Sequence, residues 1–144
     1  MAQKRFFIVS LITIFIIAVL HYLAFKYYWY WNFSWFHLIM HLLGGFWFTL
    51  TTFWFLIRLN YVNTIVKHKR RFFVIMIVSV VVVGLSWEIF EILSGFTSIK
   101  ESGYLNSLMN DLVSNFIGGF VAYFYFIKRK RCETGVICEK IVEK

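Results

Sequence analysis

Hydrophobic positions fall in four long runs broken only by isolated polar residues: Phe6 to Phe25, Trp35 to Ile57, Phe72 to Phe96, and Ser107 to Ile127. A helix rises about 1.5 Å per residue and needs roughly 20 residues to cross a hydrocarbon layer ~30 Å thick, so each run predicts one membrane-spanning helix. Within the third run, IMIVSVVVV alone has the composition of a buried strand. Its setting in a much longer apolar run selects helix, because an open sheet edge cannot satisfy its backbone groups in lipid. The expected fold is all-α: an integral membrane four-helix bundle forming a single membrane domain over residues 1–144, with residues 128–144 as a tail.

The polar positions inside these runs repeat at helical spacing. His37 and His41 are four apart, Glu88 and Glu91 three apart, and Asp111 and Asn115 four apart, so each pair lies on one helix face. Gly44 and Gly45 continue the first face, Gly84 and Gly95 flank the second, and Gly118, Gly119 and Ala122 follow the third. Small residues permit close approach of helices in lipid, which predicts that these faces pack inward and that the polar pairs converge.

Charge supplies an orientation. Thirteen of the fifteen Lys and Arg residues lie before the first run, between the second and third, or after the fourth; only Lys26 and Lys100 lie in the other connections. By the positive-inside rule both termini and the Arg58–Arg71 loop face the cytoplasm. The basic stretches KHKRR (67–71) and KRKR (128–131) abut span ends, where they meet anionic lipid at the cytoplasmic face, and this placement argues against nucleic acid as a partner despite a net charge of +8. A composition 60% hydrophobic and 22% aromatic, with mean hydropathy +0.72, places the chain among membrane proteins, and the expected location is the inner (plasma) membrane, multi-pass. The first run has no small-residue cleavage site after it and is expected to be retained. Tyr27, Tyr28, Trp29, Tyr30, Trp31 and Trp35 have the composition of an interfacial aromatic belt. Cys132 and Cys138, in a cytoplasmic tail, are not expected to form a structural disulfide.

With this orientation the polar pairs share a level. His37 and His41 lie roughly 3 and 9 Å below the outer edge, Glu91 and Glu88 roughly 6 and 10 Å, Asp111 and Asn115 about 6 and 12 Å, and His21 about 6 Å. Three of the seven acidic residues and three of the four histidines fall inside the runs. An ionised side chain at mid-membrane costs about 2.5–3.5 kcal/mol on insertion scales, so such placements need a cause. Local causes exist for each. Asp111 in a first helical turn is favoured by the macrodipole, with Asn106 or Ser107 as N-cap; the histidines can hydrogen-bond between helices; and the glutamates can be protonated. Their shared level points instead to one site.

Two chemistries suit such a cluster. Imidazoles and carboxylates together are a ligand set for zinc, manganese or iron, and a divalent cation offsets the repulsion among Glu88, Glu91 and Asp111. The same groups can form a proton or ion relay. The di-iron Glu-x-x-His pair, the His-Glu-x-x-His zinc motif, the Gly-x-Ser-x-Gly elbow, the P-loop and Cys-x-x-Cys are all missing from the sequence, which excludes those enzyme classes. The expected metal ligands are His37, His41, Glu88, Glu91 and Asp111, with Glu88 or Glu91 as general base and Asn115, His21 and Asn106 behind them. Gly44, Gly45, Gly118 and Gly119 can serve packing within one chain or in a homo-oligomer.

The segments HLIMHLLGGF, WEIFE and DLVSNFIGG resemble, over residues 35–127, the VanZ-like and YjdF-like family of small bacterial membrane proteins. The resemblance implies a multi-span inner-membrane protein with a role in the cell envelope, since the name-giving branch is associated with resistance to teicoplanin-type antibiotics acting on the outer face. It also marks departures: family members often carry Asp where Asn106 and Asn115 stand, and the VanZ branch Gln where Glu91 stands. The expected activity is metal-dependent hydrolysis or transfer on a lipid-linked or amphipathic phosphate. The alternatives are an ion- or proton-coupled small transporter and a non-catalytic protein that binds lipid or antibiotic.

Overall fold

The computed structural model describes residues 2–59, 69–94 and 103–133. In chain order these form α1 (Ala2–Lys26), α2 (Trp29–Asn32), α3 (Ser34–Arg58), α4 (Lys69–Ser94) and α5 (Tyr104–Glu133), with no strand among the described residues. The four long helices make an all-α bundle, as the hydrophobic runs predict, and α2 is a single turn in the connection between α1 and α3. Helices α1, α3 and α5 extend beyond both ends of their hydrophobic runs and α4 beyond the start of its run, because backbone hydrogen bonding does not stop where the apolar side chains do. Gly95, Phe96, Lys67, His68, Lys100, Cys138, the Trp31 and Cys132 side chains, and the tail beyond Glu133 lie outside the description.

Helices α1, α3 and α4 are long and apolar enough to cross a membrane. Helix α5, expected to be a fourth such span, does not join them, because Asn106, Asn110, Asp111, Ser114 and Asn115 fill its first half with polar groups. Its start also differs from expectation. The backbone amides of Asn106 and Ser107 donate to the carbonyl of Gly103, at 3.0 and 3.1 Å, so the helix begins before them and neither residue is its N-cap. Gly103 takes φ 102°, a left-handed conformation that a residue with a Cβ rarely adopts. Asp111 therefore sits about two turns inside α5, too deep for the helix-start dipole to account for it.

Helix α3 is the centre of the bundle, packed against α1, α4 and most extensively α5, while α1 and α4 make no close backbone approach. Glycine makes the α3–α5 seam: a Cβ on Gly118 would overlap the Leu42 carbonyl oxygen, and one on Gly45 would overlap the Asn115 carbonyl oxygen. The backbones are thus in contact, the arrangement small residues allow in lipid. At one end of the bundle Phe6, Phe53, Phe72 and Phe126 stack around a core with Leu50, Met76, Val80 and Ala122, the Phe53 and Phe126 rings 4.7 Å apart. At the other end a smaller cluster of Ala24, Phe36 and Met40 takes in Trp29 and Tyr30. Of the aromatic belt, Tyr27, Tyr28 and Trp35 are exposed, whereas Trp29 and Tyr30 turn inward.

Several hydroxyl groups within the bundle are satisfied locally, whereas Thr49 Oγ1 is buried without a hydrogen-bond partner. Thr13, Thr51, Thr52 and Ser79 each donate to a carbonyl four residues earlier, and Ser10 and Thr51 pair between α1 and α3 at 2.6 Å. This is how polar side chains are accommodated where no water is available.

Candidate functional site

The polar pairs meet between the small apolar cluster and the glycine seam. The i, i+4 spacing on α3 puts the Nε2 atoms of His37 and His41 3.0 Å apart. Across the seam, Asp111 of α5 places Oδ2 3.5 Å from His37 Nε2 and Oδ1 3.7 Å from His41 Nε2. From α4, Glu91 brings Oε1 to 3.6 Å from His37 Nε2. Asn115, one turn below Asp111, points Nδ2 at His41 Nδ1, 3.0 Å away. His41, Glu88, Glu91, Asp111 and Asn115 are all less than a tenth exposed. Ordinary helix packing in lipid does not gather that many ionisable groups without a purpose.

Supports radiate from this centre. The Trp87 indole N–H donates to Glu91 Oε1 at 2.8 Å, and the Tyr104 hydroxyl, at the start of α5, lies near the Glu88 carboxylate. Glu88 itself faces inward, close enough to act electrostatically on His37 and Glu91. His21 of α1 sits behind Trp87, their rings 6.3 Å apart, and its Nδ1 meets the Tyr30 hydroxyl at 2.8 Å. Burial, reinforced by the charge of Glu91, pushes the Tyr30 phenol up to about 12, so it remains protonated and available to His21 across the physiological range. The structure thus groups His37, His41, Glu91, Asp111 and Asn115 directly, with Glu88 and His21 on the flanks. Asn106 is not among them: its side chain is exposed on the first turn of α5.

Three residues that hold the site were not singled out by sequence reasoning. Trp87 had a legible signal, four residues before Glu91 on the same face. Tyr104 and Tyr30 had none, since their approach depends on connections: Tyr30 is turned inward by Tyr28, whose φ of 56° reverses the chain between α1 and α2.

The donor set can be tested for a cation. Among the described residues, His37, His41 and Asp111 each offer one ligand atom, all within 4.8 Å of one another. Ligands about 2.1 Å from a tetrahedral ion lie ~3.4 Å from each other. The two imidazole Nε2 atoms stand 3.0 Å apart and each approaches a different oxygen of Asp111, at 3.5 and 3.7 Å, so a shared cation would have to draw one of these oxygens toward both rings. Asp111 Oδ1 is buried without a hydrogen-bond partner, an expensive condition that coordination would relieve. Asn115 supplies the second layer. Turned over, its amide oxygen would accept the Nδ1 proton of His41 and leave Nε2 with a free lone pair, the usual state of a ligating imidazole.

A cavity of about 130 Å³ adjoins the polar cluster, lined by Ile14, Ile17, Met40, Trp47, Val83 and Trp87, with His41, Gly44 and Asn115 as its polar side.

The model of one protein family matches residues 3–131. The chain belongs to this family, described as Predicted membrane protein (DUF2238). Family membership and three helices of spanning length and composition establish a membrane protein carrying a buried His/His/Asp cluster. Comparison with curated proteins and with solved structures finds no match.

Proposed function

We propose that His37, His41 and Asp111 form an intramembrane divalent-metal site near the outer face of a multi-pass inner-membrane protein of the cell envelope, akin to the VanZ-like and YjdF-like proteins. The observation that carries this reading is the gathering of one ligand atom each from His37, His41 and Asp111 within 4.8 Å of one another, with one carboxylate oxygen buried and unpartnered. Zinc, manganese or iron suits the donors. The bound cation would supply Lewis-acid polarisation of a phosphoryl oxygen on an amphipathic, lipid-linked substrate. Glu91, held at Oε1 by Trp87, would take a proton from the attacking water, and Glu88, with Tyr104 near it, would balance charge. The positive-inside distribution puts both termini in the cytoplasm and opens the site outward.

A relay is the second reading, because Glu91, His37, His41 and Asn115 form an unbroken series of polar contacts. Below Asn115 the series meets Gly45 and Gly118 in backbone contact, which favours a site that binds over a path that conducts.

Metal analysis of the purified protein distinguishes these. Stoichiometric metal is expected in the wild type and its loss in His41→Ala and Asp111→Asn. A wild type without metal overturns the proposal, and ion-gradient flux in proteoliposomes would install the relay in its place.

A further inference from the structure

The cavity beside the polar cluster is not used by any step above. It lies on the side of His41 where α3 continues through Gly44 to Trp47, so it leads from the polar layer toward the bundle's middle. Its other walls are Ile14 and Ile17 on α1 and Val83 and Trp87 on α4, the two helices that make no close backbone approach. Both isoleucines are only half-buried, and their α1 neighbours Phe15 and Ile16 face the surroundings. The gap between α1 and α4 is therefore the side on which the cavity meets the hydrocarbon phase. Trp87 stands at the junction: its N–H holds Glu91, and its ring packs edge-on against His41 and His21.

We propose that this cavity receives the first carbons of a single hydrocarbon chain, entering from the bilayer between α1 and α4, of a lipid whose anionic head lies at His37, His41 and Asp111. The proposal rests on the reading of that cluster as the place where the polar head binds. Three features select this occupant. The lining is apolar except on the one side that faces the cluster, which matches a molecule polar at one end. Its size is near that of an engineered apolar cavity of ~150 Å³ that accepts benzene, so it takes roughly five or six carbons, a part of a chain and not a whole lipid. The order head, then chain, along α3 is that of a lipid in the leaflet nearer the cluster. In a bilayer the chain gains nothing by leaving water, and its preference for the cavity comes from dispersion contacts that the lining otherwise lacks. Scaled from the cost of comparable cavities, filling it is worth on the order of a hundredfold in occupancy.

The test uses the full chain in lipid nanodiscs and dodecyl phosphate bearing a diazirine about five carbons from the phosphate, matched to the cavity's depth. After photolysis, peptide mass spectrometry locates the adducts. Adducts on Ile17, Met40, Val83 or Trp87 are expected, competed by unlabelled dodecyl phosphate. Val83→Phe fills the cavity and should lower them by about tenfold or more. Gly44→Ala adds a methyl whose nearest neighbour is Asn115 Oδ1 at 3.9 Å, so it preserves the packing while narrowing the cavity, and should lower them less. Metal content is measured on the same samples. Adducts confined to outward residues such as Phe120 and Phe124, or cavity adducts indifferent to both substitutions, overturn the chain site even where metal is bound. Cavity adducts sensitive to both substitutions in a protein without metal support the chain site and remove the metal reading alone.

Discussion

The glycine seam between α3 and α5 makes a sharp prediction, because two neighbouring glycines should respond oppositely to the same methyl group. In Gly118→Ala the new Cβ overlaps the Leu42 carbonyl oxygen and stands 2.8 Å from Phe46 N and 2.9 Å from Leu42 C. All three are backbone atoms, so no rotamer change relieves them. Ordinary separations of ~3.5 Å or more return only if the helices part by about 1 Å. Alanine's better helix propensity offers about 1 kcal/mol, against about 1–3 kcal/mol for overpacking at its upper end here, and the clash wins by about 1–2 kcal/mol. The same separation stretches the His37–Asp111 and His41–Asp111 distances, now 3.5 and 3.7 Å. They would reach about 4.5 Å, beyond the ~3.4 Å expected between ligands of one tetrahedral ion. Gly44→Ala meets nothing closer than 3.9 Å and keeps the propensity gain. Thermal unfolding in mild detergent, followed by tryptophan fluorescence, should show Gly118→Ala lower by roughly 5 °C and Gly44→Ala unchanged or higher. Metal content should fall in the first and hold in the second. Equal stability and equal metal in the two variants would refute the backbone contact and the dependence of the site on it.

Asn115→Ala removes the amide 3.0 Å from His41 Nδ1 and should weaken metal binding about 10- to 100-fold by competition with a chelator, as loss of a contact supporting a ligand commonly does. Ser10→Ala breaks the 2.6 Å contact to Thr51 between α1 and α3 and should cost about 0.6 kcal/mol in the same unfolding assay, the average for such bonds in lipid. Tyr30 is held protonated by burial and by Glu91, so it contributes stability that is complete below pH 10 and is lost as pH rises toward about 12; Tyr30→Phe should remove a phenol titrating at about 12 from the ultraviolet titration and flatten that loss.

The helices were legible because apolar runs of spanning length leave few alternatives, and the convergence of His37, His41, Glu91 and Asp111 was legible because spacing gives a face and the positive-inside rule gives a level. What escaped has a common physical origin. Helix starts depend on turns, so Gly103 in a left-handed conformation moved the beginning of α5 ahead of Asn106 and left that residue exposed. Tyr30 and Tyr104 reach His21 and Glu88 from connections, where no periodicity operates. The fourth run forms the bundle's fourth long helix, and the polar half that supplies Asp111 and Asn115 makes it less apolar than the other three. The cavity lies between α1 and α4, far apart in sequence and without close backbone approach, and one-dimensional pattern has no means of showing a gap.

The order of the helices along the chain has a consequence for synthesis. The histidines emerge from the ribosome first and the glutamates next, while Asp111 and Asn115 arrive only with α5. Until that helix docks, His41 lacks its amide neighbour and the glutamates of α4 stand in a half-built nest. The assembly step that closes the α3–α5 seam is therefore the step that creates the binding set, and a nascent chain interrupted before residue 104 would present buried-type acids to acyl chains, the kind of exposure that membrane quality control can recognise.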